Sequence, residues 1–243
     1  MTTPDLAAAR ADLAPSGTLR VGLNLSNFLL VGTDPATGGY RGIVPDLARE
    51  LARRLGVEVA FTGYPSPGKV TEAGATGGWD VAFIAHEPAR AAQIQFSPPY
   101  VEIQSTFLVP PGSPFRKIED VDVPGVRIAV SATSAYDLYL TRTLKHAQLL
   151  RAPGIDASYD LYVNERCDAL AGLRPRLVKD VLRQDGARVL EGGFTSVQQA
   201  IGTPRGRAAG AAYLAAYAED IKRSGLVAQA IRNNGVEGVT VAA

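Results

Sequence analysis

Cysteine, histidine and tryptophan are scarce in this chain of 243 residues, which has one Cys, two His and one Trp. The single Cys167 excludes a disulfide within the chain. His86, His146 and Cys167 lie far apart and lack the spacing of known metal-ligand motifs. We therefore expect no zinc or iron site and no cofactor.

The chain also has no large excess of either charge, since it contains 25 basic and 24 acidic residues and its formal net charge is +1. There is no dense Lys/Arg run and no basic block with interleaved aromatics, so we expect no nucleic-acid partner. No apolar run reaches the roughly 18 residues of a membrane helix, so we expect no membrane insertion. The length suggests one large or two modest domains, and 46% hydrophobic residues can form a sizeable core.

The first residues, Met1 to Pro15, lack the basic start and apolar core of a secretory signal. As written, the sequence predicts a cytoplasmic protein. The alternative is a mature periplasmic form to which a methionine has been added, and both remain open.

Strand and helix patterns alternate in both halves of the chain, which predicts α/β architecture with mostly parallel sheets flanked by helices. The clearest early helix carries Leu47, Leu51 and Leu55 on one face. Trp79 precedes a strand and is expected to cover a sheet edge or the protein surface. Expected strands include 19–24, 57–62, 79–84, 101–109, 126–130, 168–171 and 197–202, and expected helices include 4–14, 45–55, 135–145, 155–164, 175–184, 208–223 and 226–233.

The stretch from Ala85 to Tyr100 holds the main candidate for a binding residue. Pro88 is typical of a first helical turn, Glu87 stands beside that end, and Arg90 follows within one turn. A guanidinium beside the N–H groups of a helix start is a natural carboxylate receptor. The alternative is a surface arginine on a short amphipathic helix.

Several motifs occur in an order that is typical of one family. They are Ser16–Gly22, Tyr40–Leu47, Trp79–Ile84, Glu87–Arg90, Gln95–Tyr100, Val123–Val130 followed by Ser131–Thr133, and Cys167–Ala171. Together, over about residues 16–235, they resemble the type II periplasmic substrate-binding proteins of amino-acid ABC transporters, which are bacterial extracellular solute-binding proteins of family 3.

This resemblance implies two α/β lobes, with the ligand between them and the lobes closing on it. Lobe 1 would comprise 1–108 and 196–243, and lobe 2 would comprise 112–193. The hinge crossings would fall near 108–112, where Pro110 to Pro114 interrupts the pattern, and near 193–196.

The resemblance also implies a site. In such proteins an arginine at the position of Arg90 grips the ligand carboxylate, helped by N–H groups and a hydroxyl in a turn that matches Ser131, Thr133 and Ser134. The other implied ligand-binding positions are Asn27, Phe28, Ile43, Ala85, Leu173 and Arg174. The implied partners are a small carboxylate ligand and an ABC transporter permease, and a monomer is the usual form.

Departures from the family pattern concern the ligand's ammonium group. Leu173 stands where amino-acid binders usually have an aspartate, and Ala85 stands where a hydroxyl is usual. Burying an ammonium group without a charged or hydrogen-bonding partner costs on the order of several kcal/mol. We therefore expect a small carboxylate or dicarboxylate that is not an ordinary α-amino acid. Arg174 and Arg176 are candidates for a second cation, the alternative being solvated charges at the start of a helix.

Two other functions remain open. One is a cytoplasmic ligand sensor on the same fold. The other is an enzyme similar to cyclohexadienyl dehydratases, but their catalytic glutamate aligns with Arg176, so we expect no enzyme. His86 and Glu87 are adjacent and could act as acid and base, although Glu87 is better explained as a helix-start acid.

Overall fold

The computed structural model describes residues 5–243, and these contain nine α-helices and thirteen strands. In chain order they are α1 (Leu6–Leu13), β1 (Thr18–Asn24), β2 (Gly32–Thr33), β3 (Tyr40–Arg41), α2 (Ile43–Leu55), β4 (Glu58–Tyr64), α3 (Pro67–Ala75), β5 (Val81–Ala85), α4 (Pro88–Ala91), β6 (Ile94–Phe96), β7 (Val101–Val109), β8 (Arg127–Ser131), α5 (Ala135–Thr143), β9 (Gln148–Ala152), α6 (Ile155–Asn164), β10 (Ala169–Leu173), α7 (Arg174–Asp180), β11 (Arg188–Val189), β12 (Thr195–Pro204), α8 (Ala208–Arg223), α9 (Leu226–Asn233) and β13 (Thr240–Val241). Short 3-10 helices cover Ile118–Val121 and Val181–Arg183.

The chain forms two units. The first unit comprises Met1–Glu102 and Gln198–Ala243, and the second comprises Ile103–Val197. The crossings therefore differ from those expected at 108–112 and 193–196. The reason is that β7 continues unbroken through the first crossing, and the proline-rich segment that follows it lies within the second unit.

In the first unit, β4, β1 and β5 form a parallel sheet in that order. Strand β12 lies antiparallel to β5, and β6 pairs antiparallel with β12. The short β13 pairs with Val101 and Glu102 at the start of β7. Strands β6 and β13 were not expected, because their two or three residues are too few to show a period of their own.

In the second unit, β10 is antiparallel to β7 and parallel to β8, and β8 is parallel to β9. Helix α6 covers this sheet with Tyr159 and Tyr162, which pack in one cluster with Leu108, Leu170 and Leu177. The prediction of an α/β fold with sheets flanked by helices is confirmed, and the antiparallel pairs of β7 and β12 make the sheets mixed.

Most expected elements appear within two or three residues of their expected ends. Helices α6, α8 and α9 match 155–164, 208–223 and 226–233. Residue 4 of the expected helix 4–14 lies outside the described residues, and α1 begins at Leu6. In residues 5–243, no helix is both long enough and apolar enough to cross a membrane.

Trp79 is fully buried, so the prediction that it covers a sheet edge or the surface is wrong. Its indole Nε1 donates to the carbonyl of Val70, 2.8 Å away, and its ring packs with Val70, Ala82 and Ile84. A Cβ at Gly74 would lie 2.4 Å from Trp79 Cζ2. The glycine of α3 therefore makes room for the ring.

Replacing Gly74 with alanine is expected to destabilise the fold by about 1–3 kcal/mol, because the added methyl group would overlap the buried indole. Urea unfolding followed by far-UV circular dichroism measures the change. Trp79→Phe removes the part of the ring that clashes, so Gly74→Ala should cost less in that background. An equal cost in both backgrounds would show that the clash is not the cause.

A buried carboxylate joins three segments of the first unit. Asp80 is fully buried, and its oxygens accept from Arg20 Nε at 2.7 Å and from Arg207 Nη1 at 2.8 Å. Burial alone would raise the pKa of Asp80, but the hydrogen bonds from Arg20 and Arg207 outweigh it and the pKa lies below its usual value. Asp80 therefore ties β1 and the start of α8 to the entry of β5.

Candidate functional site

In the first unit, two predicted site segments lie at the same edge of the sheet. Strands β1 and β5 are parallel neighbours, with Leu23 opposite Phe83. The loop that carries Asn27 and Phe28 follows the carboxyl end of β1, and Arg90 follows the carboxyl end of β5. Ligands of parallel α/β sheets bind at this end of the strands.

Arg90 is buried, with 3% of its surface exposed. Its Nη1 donates to the carbonyl of Ala85, 2.8 Å away, so the last residue of β5 fixes the guanidinium. Burial lowers the pKa of Arg90 to about 10, and the negative charge of Glu87 opposes this effect. The guanidinium therefore stays protonated at neutral pH. The alternative of a surface arginine is wrong.

Glu87 occupies the N-cap position of α4, as expected, but its side chain makes no capping hydrogen bond. It is buried and acts on the charge of Arg90, whereas the adjacent His86 is exposed and contacts the Phe96 ring edge-on at 5.0 Å. Glu87 therefore stands at the start of α4, as expected, but its side chain does not cap the helix.

The other predicted positions of the first unit differ in accessibility. Phe28 is exposed to 37%, whereas Ile43 and Ala85 are buried at the start of α2 and the end of β5. The N–H of Val44 donates to the carbonyl of Leu30, which joins the start of α2 to the loop after β1. Asn27 is also buried, and its Oδ1 has no hydrogen-bond partner among residues 5–243.

The second unit also brings its predicted residues to one sheet edge. Strands β8 and β10 are parallel neighbours. The turn from Ser131 to Ser134 follows the carboxyl end of β8, and Leu173 is the last residue of β10. Arg174 follows Leu173 as the first residue of α7.

Asp137 holds the turn from Ser131 to Ser134 in its shape. Its N–H donates to Ser134 Oγ, which caps α5, and its Oδ2 accepts from the N–H of Thr133 at 2.9 Å. Thr133 has a φ of 60°, in the left-handed region that costs a β-branched residue free energy. Arg151 Nε donates to the other oxygen of Asp137, so an ion pair between an exposed arginine and a buried carboxylate supports the strained turn.

Asp137 was not predicted from the sequence, although a signal for it is present. Ser134 and Asp137 have the spacing of a helix N-terminal capping motif, a Ser or Thr followed three residues later by an acid. Tyr136 was also missed. It is buried, which raises the pKa of its hydroxyl to about 12 against the effect of hydrogen bonds with Ser134 and Ser131.

The two candidates for a second cation have different surroundings. Arg174 donates to Gln104 Oε1 and to the carbonyls of Leu190 and Gly192, and none of these acceptors is charged. Arg176 is paired with Asp156 at 2.6 Å and with Asp180 at 2.8 Å. Two carboxylates therefore balance the charge of Arg176.

A family model of the bacterial extracellular solute-binding proteins, family 3, matches residues 19–234. The chain belongs to this family. A search of curated proteins found no match. Within residues 5–243 of this family 3 protein, no three His, Cys, Asp or Glu side chains are grouped so that they could hold a metal ion.

Solved structures of binding proteins are similar to this family 3 protein along most of its length. A solute receptor for L-cysteine from Neisseria gonorrhoeae has a TM-score of 0.79 at 19% identity, covering 98% of this chain and 99% of the other. A mutant of ArgBP from T. maritima has a TM-score of 0.76 at 23% identity, with coverages of 94% and 100%. The substrate-binding protein of an amino acid ABC transporter has a TM-score of 0.72 at 18% identity, with coverages of 89% and 98%. At these identities the likeness shows the fold alone.

Proposed function

We propose that this family 3 protein captures a small carboxylate solute that lacks an α-ammonium group, and that Arg90 holds the carboxylate. The observation that carries the proposal is the buried guanidinium of Arg90 at the carboxyl edge of the first unit's sheet. A fixed, desolvated guanidinium forms strong paired hydrogen bonds with a carboxylate.

The surroundings of Leu173 support a ligand without an ammonium group. Leu173 is buried, and Ser105 lies opposite it on β7 with a buried hydroxyl that has no hydrogen-bond partner in the described part of the chain. The cavity beside Leu173 has a volume of about 10 Å³, enough for one water molecule. Asp180 is the carboxylate among the described residues that line it, and Arg176 and Arg183 already pair with Asp180.

Delivery of the solute to an ABC transporter is part of the same proposal. One similar structure is the substrate-binding protein of an amino acid ABC transporter, and another is a receptor for L-cysteine. Amino acids such as L-cysteine carry an α-carboxylate, the group that Arg90 would hold. The ligand of this chain would then differ from that of proteins that bind ordinary amino acids, because Leu173 cannot pair with an ammonium group.

Isothermal titration against matched pairs of acids tests the ligand class. Each pair consists of an amino acid and its 2-keto or 2-hydroxy analogue, and dicarboxylic acids extend the series. We expect micromolar affinity for at least one acid without an ammonium group, and weak or no binding of its amino analogue. The buried, uncharged side chain of Leu173 is the physical reason.

Leu173→Asp provides the complementary measurement in the same titrations. The new carboxylate should weaken binding of the deaminated acid by charge repulsion and improve binding of the amino acid. Tight binding of an ordinary amino acid by the unchanged protein, with its deaminated analogue much weaker, would contradict the proposed ligand class. The Leu173→Asp variant should keep its thermal midpoint within a few degrees for the comparison to hold.

A further inference from the structure

The second unit has a groove of about 280 Å³ that the proposed function does not use. It lies along the C-terminal half of α5, where Leu140 and Thr143 line it. The turn from Ser131 to Ser134 is at the opposite end of this helix. At 1.5 Å per residue, the centre of the groove is about 10 Å along the helix from that turn.

Aromatic rings form one wall of the groove. Phe194 lies between two other rings, with centroids 4.6 Å from Phe107 and 6.0 Å from Tyr139. The planes of Tyr139 and Phe194 are within 24° of parallel. Phe107 is buried, whereas Tyr139 and Phe194 are partly exposed. The three rings therefore form one aromatic cluster in the wall of the groove, with the partly exposed Tyr139 at its end, and the negative face of an aromatic ring attracts cations.

Carboxylates supply the charged groups of the groove. Glu119 and Asp122 line it, and the described lining residues include no lysine, arginine or histidine. The carboxylate of Asp122 accepts from the N–H groups of Lys145, His146 and Ala147. Burial would raise the pKa of Asp122, but these hydrogen bonds outweigh it and the pKa lies below its usual value. The exposed Glu119 adds a second negative charge.

We propose that this groove binds a small organic cation with an apolar body, such as a quaternary ammonium compound, independently of the carboxylate site. The face of Tyr139 that does not pack on Phe194 would contact the cation, and Glu119 would neutralise it. Leu140 and Phe107 provide the apolar surface for the rest of the molecule. A neutral molecule of the same shape would lose the attraction of both the rings and the carboxylates.

Choline and its neutral isostere 3,3-dimethylbutan-1-ol are the probes. Titration of the ¹⁵N-labelled full chain should give saturable shifts for choline at the amides of Gly193, Phe194 and Thr143. The alcohol should bind about tenfold more weakly or not at all. Equal binding of both probes, or choline shifts centred on Arg90 or Ser131 instead, would overturn the proposal.

Two variants of Tyr139 test whether choline binding needs the aromatic face or only the volume of the side chain. Tyr139→Phe keeps the face and should bind choline normally, whereas Tyr139→Leu should lose about tenfold in affinity. Glu119→Gln should also weaken choline binding, and the exposed Glu165→Gln in the same unit serves as its control. Titration with the 2-keto, 2-hydroxy or dicarboxylic acid that binds the unchanged protein best should be unchanged in Glu119→Gln, so failure here and failure of the proposed function are distinguishable. If the Phe and Leu variants at Tyr139 bind choline equally, the ring does not form the site.

Discussion

Arg90→Gln is expected to weaken carboxylate binding by at least about 30-fold, the largest effect on binding that we predict. Removing one partner of a buried, hydrogen-bonded charge pair costs about 2–5 kcal/mol, and each 1.4 kcal/mol is about tenfold in affinity. Glutamine keeps a hydrogen-bond donor and most of the volume but has no charge. Isothermal titration with the best acid found for the unchanged protein measures the loss.

Arg90→Lys tests the geometry of the interaction separately from its charge. Lysine retains the charge but cannot form two parallel hydrogen bonds with one carboxylate, so an intermediate loss is expected. Because the pKa of Arg90 is about 10, the affinity of the unchanged protein should be nearly constant between about pH 6 and about pH 8. If Arg90→Gln binds the acid as tightly as the unchanged protein, Arg90 does not hold the carboxylate.

Asp80→Asn is expected to destabilise the first unit by about 2–4 kcal/mol. Breaking a buried ion pair by removing one partner is strongly destabilising, but the side chains of Arg20 and Arg207 are 40% and 22% exposed, so water lessens the cost. Urea unfolding measures the change. Asp46→Asn removes an exposed ion pair with Arg49 and should cost less than about 1 kcal/mol.

The lowered pKa of Asp80 predicts how the free energy of unfolding depends on pH. Because the pKa of Asp80 is lower in the folded protein than its usual value, its contribution is present at neutral pH. That contribution is lost as the pH falls below about 4, when the folded protein must take up the proton. In Asp80→Asn this part of the acid destabilisation should be missing. A variant with unchanged urea and acid midpoints would show that Asp80 does not stabilise the fold.

The sequence predicted the elements that have a clear period. Helix α2 was identified because Leu47, Leu51 and Leu55 repeat on one face, and all three are buried in the structure. Arg90 was found by its position after an apolar strand and beside Pro88, both of which are local signals. The turn from Ser131 to Ser134 was found in the same way, as small residues between a strand and a helix.

Features that depend on distant parts of the chain could not be predicted. Asp80 pairs with Arg207, which lies 127 positions away, and nothing near either residue indicates the contact. Strand β13 exists because Thr240 and Val241 meet the start of β7, not because of their own pattern. The side chain of Glu87 does not cap α4, and this too could not be predicted, because its burial near Arg90 depends on tertiary packing.

The position of the single tryptophan provides a built-in optical reporter. Trp79 is the only indole in the sequence, and it is fully buried in the first unit. Its fluorescence emission should therefore shift to longer wavelength when the first unit unfolds and should respond little to unfolding confined to residues 103–197. Comparison of emission and circular dichroism on one urea series would show whether the protein melts in one step or two.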